Sequence, residues 1–289
     1  MSIPPVNLMR SFLFVPGNRP ERFAKARASG ADIYCIDLED AVAPAQKAAA
    51  RDEALAHLTA NTGQEPGGPL CYFRINSLST RAGLEDLLAL SEAASSDVLP
   101  DCIVLPKASS AFEIAQVIQL LEQHPRLKIM PMIESPKGLD QLPAMLGYHH
   151  WIAGVAFGFG DYAAVTGSDM GWDALLQARS TIVRYASDYG VHSFDGPWFE
   201  IPDLEGLRRE AGRVAGLGFR GKLAIHPGQV AVINESFQPS PRRIAWARDV
   251  IAAFAEAQGG VAVVDGMMID QPVVEQARRV LAAAGEAIP

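Results

Sequence analysis

The chain has little cysteine: only Cys35, Cys71 and Cys102, an odd number with no CxxC pair. That excludes a disulfide framework and a thiolate zinc site, and it reads as reduced, buried thiols in a cytoplasmic protein. Long apolar runs are also missing. No stretch approaches the about 18 residues that a membrane span needs. The first ten residues, MSIPPVNLMR, hold no apolar signal core, so a soluble, unexported chain is expected. Positive charge is short as well. Against 33 Asp and Glu stand 25 Lys and Arg, a formal charge of −8. This argues against nucleic acid or an anionic membrane as partner, although a few local cations are enough for an anionic substrate. There is no HExxH and no GxSxG. Residues 216–223, GLGFRGKL, miss a phosphate loop because Leu223 stands where Ser or Thr is required, and because the segment precedes a strand. Residues 158–163, GFGDYA, miss GxGxxG at Ala163.

What the chain does have is alternation. Eight short apolar runs read as strands: 11–16, 32–38, 71–76, 102–107, 127–134, 154–161, 191–195 and 222–227. Most are continuous rather than alternating, the mark of parallel strands covered on both faces. Amphipathic stretches lie between them. Residues 173–190 put Leu175, Leu176, Ile182, Val183, Ala186 and Tyr189 on one stripe. In residues 18–30 the pattern predicts a helix capped by Asn18, with Pro20 in its first turn, Glu21 at the capping-box position and Gly30 as its stop. The 289 residues suit one (β/α)8 TIM barrel of α/β class, an open doubly wound sheet being the alternative. After residue 238 the pattern changes to a helix capped by Ser240 with Pro241 in its first turn, a short hairpin, and a last helix. The division expected is a barrel over 1–238 and a C-terminal helical extension over 239–289.

In such a barrel, chemistry gathers at the C-terminal strand ends. There the chain places Asp37, Glu39 and Asp40, then Arg74 and Asn76, Lys107, Glu134, Asp161, Asp195 and His226. Glu134 and Asp161 end consecutive strands, so they are neighbours. Two carboxylates without His or Cys suit a hard, oxygen-loving ion such as Mg2+, which keeps several waters. Solvated rim carboxylates are the alternative. Arg74 offers a planar fork to a substrate carboxylate or oxyanion, or pairs with Glu39 and Asp40 of the LED segment. Glu39, Asp40 and Lys107 would orient Arg74 and the waters of the metal, or form rim ion pairs. His226 reads as a satisfied strand-end histidine, and Asp270 as a helix N-cap.

The segment RSFLFVPGNRPERFAKARASGADIYCIDLEDAVAPAQKAAAR resembles the N-terminal signature of citrate lyase β-subunit-like proteins of the HpcH/HpaI aldolase superfamily, which includes malyl-CoA and citramalyl-CoA lyases. The likeness continues in order through FRIN, IVLPK, MIES, AFGFGDYAAVTG, GKLAIHPGQV and VDGMMIDQPVV. It implies a (β/α)8 barrel, trimeric or hexameric, that uses Mg2+ to cleave or form a carbon–carbon bond, splitting a 3-hydroxyacyl-CoA-type thioester into a 2-oxo acid and an acyl thioester; an aldolase on free 2-oxo acids without CoA and a non-catalytic carboxylate-binding subunit are the alternatives. An acyl-carrier partner is a further implication. It puts metal ligation on Glu134 and Asp161, carboxylate binding on Arg74, an acidic pair on Glu39 and Asp40, and CoA binding on Arg22 and Lys25. It also implies a C-terminal extension that caps a neighbouring subunit and delivers a catalytic Asp270. The chain departs from the pattern at Gly160, where an acidic or small polar residue is usual, and at Val165, where many members carry Asp.

Overall fold

The computed structural model describes residues 9–61, 68–124, 126–257 and 260–286. Its strands are β1 Ser11–Pro16, β2 Ile33–Asp37, β3 Leu70–Arg74, β4 Cys102–Leu105, β5 Lys128–Ile133, β6 Gly154–Phe157, β7 His192–Asp195 and β8 Gly221–Ala224. They close in sequence order into one parallel barrel, β8 returning to β1. All eight runs expected from the sequence are present, mostly trimmed at their ends. The largest trim is at 154–161, where the strand stops at Phe157 and a helix starts at Phe159.

Helices surround the barrel: α1 Phe23–Arg27, α2 Lys47–Asn61, α3 Arg81–Ala94, α4 Ala111–Leu121, α5 Pro136–Leu146, α6 Phe159–Thr166, α7 Trp172–Asp188, α8 Leu204–Leu217 and α9 Val230–Phe237. Their starts follow local chemistry. Thr80, Ser135 and Asp203 each accept a hydrogen bond from a backbone N–H of the first turn, and Ser110 with Glu113 closes a capping box. Residues 18–30 behave differently from expectation. Asn18 caps nothing and donates to Gln46 Oε1 at 2.8 Å; a 3-10 turn over Pro20–Arg22 precedes the short α1. The stripe of α7 is also displaced. Leu175, Ala178, Arg179, Ile182 and Ala186 are buried at helical spacing, while Leu176 is exposed.

Two apolar layers result. Alternation sends Phe12, Ile33, Cys35, Tyr72, Cys102, Val104, Met130, Met132, Phe194 and Leu223 into the barrel interior. The other parity meets the helices in a larger shell around Val15, Ile36, Phe73, Ile103, Ile133 and Phe157. Phe12 packs edge-on against both Tyr72 and Phe194, so the interior is filled rather than a pore. The three cysteines are buried and free. Burial pushes the Cys71 thiol up to about 12, which keeps it protonated and inert. Beyond the barrel come α10 Pro241–Glu256, a hairpin of β9 Ala262–Val264 and β10 Met267–Ile269, and α11 Gln271–Ala283. Ala247, Val250, Ile269, Val274, Ala277 and Leu281 give these elements a core of their own. Among the described residues no helix is long and apolar enough to cross a membrane.

Candidate active site

With the barrel filled, the mouth is where polar chemistry has room. Its construction starts from register. β2 and β3 pair so that Asp37 lies beside Arg74. Both side chains continue the inward parity of Cys35 and Tyr72, and they meet. Arg74 donates from Nε and Nη2 to the two oxygens of Asp37, each at 2.7 Å, the bidentate geometry that a guanidinium favours. The guanidinium also lies 4.7 Å from the Phe14 ring centre. Burial disfavours its charge, but Asp37, and after it Glu39 and Asp40, raise its pKa further.

Asp37 therefore explains why an apolar strand ends in acid. It is 1% exposed, and besides Arg74 it accepts from the backbone N–H groups of Glu39 and Ala41. A carboxylate so bonded is buried without an unmet demand. It also folds the following loop back over the mouth. Lys47 of α2 holds the same loop from outside, donating to the carbonyls of Leu38 and Glu39 at 3.1 and 3.0 Å. Glu39 is buried; one oxygen takes the Lys107 ammonium, and the other lies 3.3 Å from Arg74 Nη1 without a well-aligned hydrogen bond. Burial raises the Glu39 carboxyl above its usual range in spite of both cations. Asp40 is more exposed and sits 3.4 Å from Lys107.

Lys107 is unusual in backbone as well as side chain. Its φ is +52°, a left-handed conformation that costs a residue with a Cβ some strain and tends to mark functional positions. The turn aims its N–H at Glu134 Oε2, 2.6 Å away, while its ammonium reaches Glu39 and Asp40. Burial is the largest influence and lowers the affinity of that ammonium for its proton, but its hydrogen bond to Glu39 and the charges of Glu39, Glu134 and Asp40 together raise it. One residue thus joins the acidic loop after β2 to the carboxylate after β5.

Glu134 is 3% exposed and pressed against Gly158, where an added Cβ would come within 2.5 Å of its Cγ. Only glycine lets β6 pass so close. Gly158 then caps α6, and Asp161 stands in the first turn of that helix. Burial, then the charge of Glu39, and among smaller effects that of Asp161, push the Glu134 carboxyl up to about 8, although Arg74 and Lys107 oppose this. Asp37, Glu39 and Asp40 take up the Arg74 and Lys107 cations in direct ion pairs, and a further cation is favoured beside Glu134, which also feels the charge of Asp161. Among the described residues no three His, Cys, Asp or Glu side chains converge as a preformed metal cage. Two oxygen donors without nitrogen or sulfur fit Mg2+, which is held by few protein ligands and completed by water.

The remaining rim residues are placed otherwise. Asp195 does not face the mouth. Phe194 takes the inward parity, so Asp195 turns outward, where Arg179 at 2.8 Å and Lys222 at 2.7 Å enclose it completely. Asn76 is turned to Asp86, which Arg51 also binds. His226 accepts from Gly228 N–H through Nδ1 and caps a 3-10 turn. Asp270 caps α11, accepting from Val273 N–H at 3.3 Å. Arg22 and Lys25 are exposed on the turn and helix that follow β1. Asp37, Lys47 and Phe14 went unassigned from the sequence as supports of Arg74 and the acidic loop. For Asp37 the signal was available: an inward acidic residue level with an inward arginine on the next strand.

Residues 10–227 match the sequence profile of the HpcH/HpaI aldolase/citrate lyase family. A (3S)-malyl-CoA thioesterase of Cereibacter sphaeroides is 37% identical over 280 residues, 95% of this chain and 94% of that one. The human mitochondrial citramalyl-CoA lyase is 32% identical over 299 residues, 95% of this chain and 85% of that one. The crystal structure of CitE from Mycobacterium tuberculosis in complex with magnesium, acetoacetate and coenzyme A superposes with a TM-score of 0.79 at 35% identity, covering 98% of this chain and all of the other.

Proposed function

The chain belongs to the HpcH/HpaI aldolase/citrate lyase family, and from that premise we propose that it is a magnesium-dependent carbon–carbon lyase acting on a 3-hydroxyacyl-CoA thioester. The observation that carries this is the mouth itself: a buried Glu134 whose carboxyl feels the charges of Asp161 and of an arginine fixed by Asp37. The substrate class follows the human citramalyl-CoA lyase and the CitE complex with magnesium and coenzyme A.

In the cleavage direction the bond between C2 and C3 of the thioester breaks. Its electron pair stays on C2, conjugated with the thioester carbonyl as an enolate. The C3 hydroxyl loses its proton as C3 becomes the carbonyl of a 2-oxo acid, and C2 takes up a proton to give the acyl thioester. Glu134 and Asp161 would hold Mg2+, which when bound supplies Lewis-acid stabilisation of negative oxygen. Arg74 adds a fixed positive charge there. Asp37 holds two of its N–H donors, so Nη1, which lies beside Glu39 and Asp40 and makes only a long contact of 3.9 Å to Met132 Sδ, is the part offered to substrate. Because the fork is locked before substrate arrives, its reorganisation costs little in the transition state. Lys107 and the acidic pair Glu39 and Asp40 keep the cations in place and temper their charge. Arg22 and Lys25 offer cations to the phosphates of CoA.

Proton transfer falls to Asp270, delivered from the C-terminal extension of a neighbouring subunit. Within its own chain Asp270 caps α11 in a unit with a separate apolar core. Homotrimers or hexamers accommodate this arrangement. In support, the hairpin leaves Val261, Val263, Met267 and Met268 more than half exposed, an apolar surface suited to a partner. An acyl-carrier protein in place of free CoA is a narrower alternative for the thiol carrier.

The test is cleavage of malyl-, citramalyl- and citryl-CoA with Mg2+, following released 2-oxo acid and free thiol separately. Lyase activity releases oxo acid and leaves the thioester intact. The malyl-CoA thioesterase relative supports a second reading, hydrolysis. Free thiol without oxo acid would establish that reading and overturn the first.

A further inference from the structure

One arc of the mouth is not absorbed by this chemistry. Phe199, in the loop after β7, is 49% exposed, and Ile225, just beyond β8, is 36% exposed. Exposed apolar side chains are common on surfaces and singly mean little. These two are held in place. The Phe199 ring lies edge-on to Phe159 with centres 5.6 Å apart, and a Cβ added to Gly160 would sit 3.4 Å from its tip. It therefore covers the backbone of the very turn that carries Asp161. Gly160 leaves space for it. Ile225 follows the inward parity of Leu223. Gln229, fully buried, ties the two positions together: its Oε1 accepts from Ile225 N–H at 3.0 Å, and its Nε2 donates to the Trp198 carbonyl at 2.8 Å.

The charge distribution sharpens the contrast. Arg74 and Lys107 end β3 and β4, which the closed strand order sets across the barrel from β7 and β8. Both are already engaged by Asp37, Glu39 and Asp40. Near Phe199 the loop carries Glu200 and Asp203 instead, and Lys222 and Arg179 are turned outward onto Asp195. His226 has its Nδ1 occupied as an acceptor. Residues 196–203 and 225–229, which follow β7 and β8, offer a group on the substrate two apolar side chains and no lysine or arginine; the exposed Arg19, Arg22 and Lys25 follow β1, the strand beside β8.

We infer that Phe199 and Ile225 form a specificity wall beside Asp161, and that the 2-oxo acid half of the substrate carries a small alkyl group there rather than a second carboxylate. This rests on the lyase reading above, because the wall is assigned to the half of the substrate that Asp161 serves. Burying a methyl group in an apolar pocket is worth about 10- to 200-fold in discrimination, and an unpaired carboxylate in the same place is penalised.

Three thioesters that differ only at the carbinol carbon provide the test: malyl-CoA with hydrogen, citramalyl-CoA with methyl, and citryl-CoA with carboxymethyl. With Mg2+, kcat/KM for the methyl substrate is expected to exceed that for the carboxymethyl substrate by about tenfold or more. Phe199→Ala should lower the methyl-to-hydrogen ratio by about tenfold, and Phe199→Leu should restore most of it. The proposal is overturned if wild type prefers the carboxymethyl thioester, if Phe199→Ala leaves the ratio unchanged, or if it raises KM for all three alike, which would place the ring against the CoA arm. Should no thioester be cleaved, the lyase reading fails and the wall is judged by equilibrium binding of pyruvate and oxaloacetate to the magnesium-loaded protein. Tighter binding of pyruvate, lost in Phe199→Ala, upholds the wall; tighter binding of oxaloacetate sinks it.

Discussion

At the scale of single residues, the site depends on how Arg74 is held. Two oxygens of one buried carboxylate fix its plane, and an aromatic ring supports it. Losing a preorganised donor of this kind costs about 10²- to 10³-fold in kcat. Arg74→Ala should show that loss with Mg2+ affinity little changed, and Arg74→Lys should fail to rescue it because an ammonium cannot make the paired contact. Near-normal turnover in either variant would exclude the assigned role.

Glu134 gives a second residue-level prediction, on pH. Its carboxyl is pushed up from an ordinary 4.5 to about 8 by burial and by neighbouring acid. A raised carboxyl favours the neutral form in the fold. In the metal-free protein it therefore contributes stability that is complete below 4.5 and lost as pH rises through about 8. Binding a cation requires the ionised form, so the proton competes with Mg2+. Apparent affinity, measured by calorimetric titration, should fall by about tenfold per pH unit below 8. Glu134→Gln should bind weakly at every pH and lose that slope. An affinity flat from pH 6 to 8 in the wild type would contradict the placement of Glu134 at the ion.

At the scale of elements, strand parity decides which side chains reach the mouth and which are buried below it. β7 shows both outcomes. Phe194 faces in and Asp195 out, and His192 shares the inward parity, stacked on Phe194 at 4.3 Å between ring centres. Burial, then the charge of Arg220, lower the His192 ring from 6.5 to about 3, against weak support for the charged form from the Met9 backbone. A depressed base is neutral in the fold and draws a proton on unfolding. The stability it lends is present above 6.5 and drains away as pH falls toward 3, at up to about 1.4 kcal/mol per pH unit. His192→Phe should move the acid-unfolding midpoint to lower pH while leaving stability at pH 8 nearly unchanged. A midpoint that stays put would show that other groups control acid unfolding.

For the whole molecule, the proposed delivery of Asp270 to a neighbour's mouth has a consequence for mixtures. Arg74→Ala and Asp270→Asn chains, each inactive alone, should regain part of the wild-type rate when dissociated together and reassembled. In a mixed assembly some mouths receive an intact Arg74 from one chain and an intact Asp270 from the other. Reassembled oligomers with no recovered turnover would confine each site to one chain and remove Asp270 from the mechanism.

Much of this was legible in the primary structure. Eight apolar runs separated by amphipathic stretches announce a parallel sheet covered on both faces, because that arrangement leaves a pattern in hydrophobicity alone; the pairing of β8 with β1 closes it into a barrel rather than an open doubly wound sheet. Strand order then names the residues at the mouth, since every strand ends on the same side. Ser240 and Pro241, and Asp270 ahead of α11, likewise announced their helices by local chemistry. What tertiary structure alone decided is which polar group faces which. Asp195 ends its strand like Arg74 and Glu134, yet one step of parity puts it among α7, α8 and β8 rather than in the mouth. Arg179 interrupts an apolar stripe and is nevertheless buried, because its partner comes from another element. The left-handed turn at Lys107, the passage of Gly158 against Glu134 and the seat of Phe199 over Gly160 all depend on contacts between residues distant in the chain. Local sequence fixes period and capping through short-range sterics and hydrogen bonds. Pairing between strand ends is set by barrel closure, which no single segment encodes.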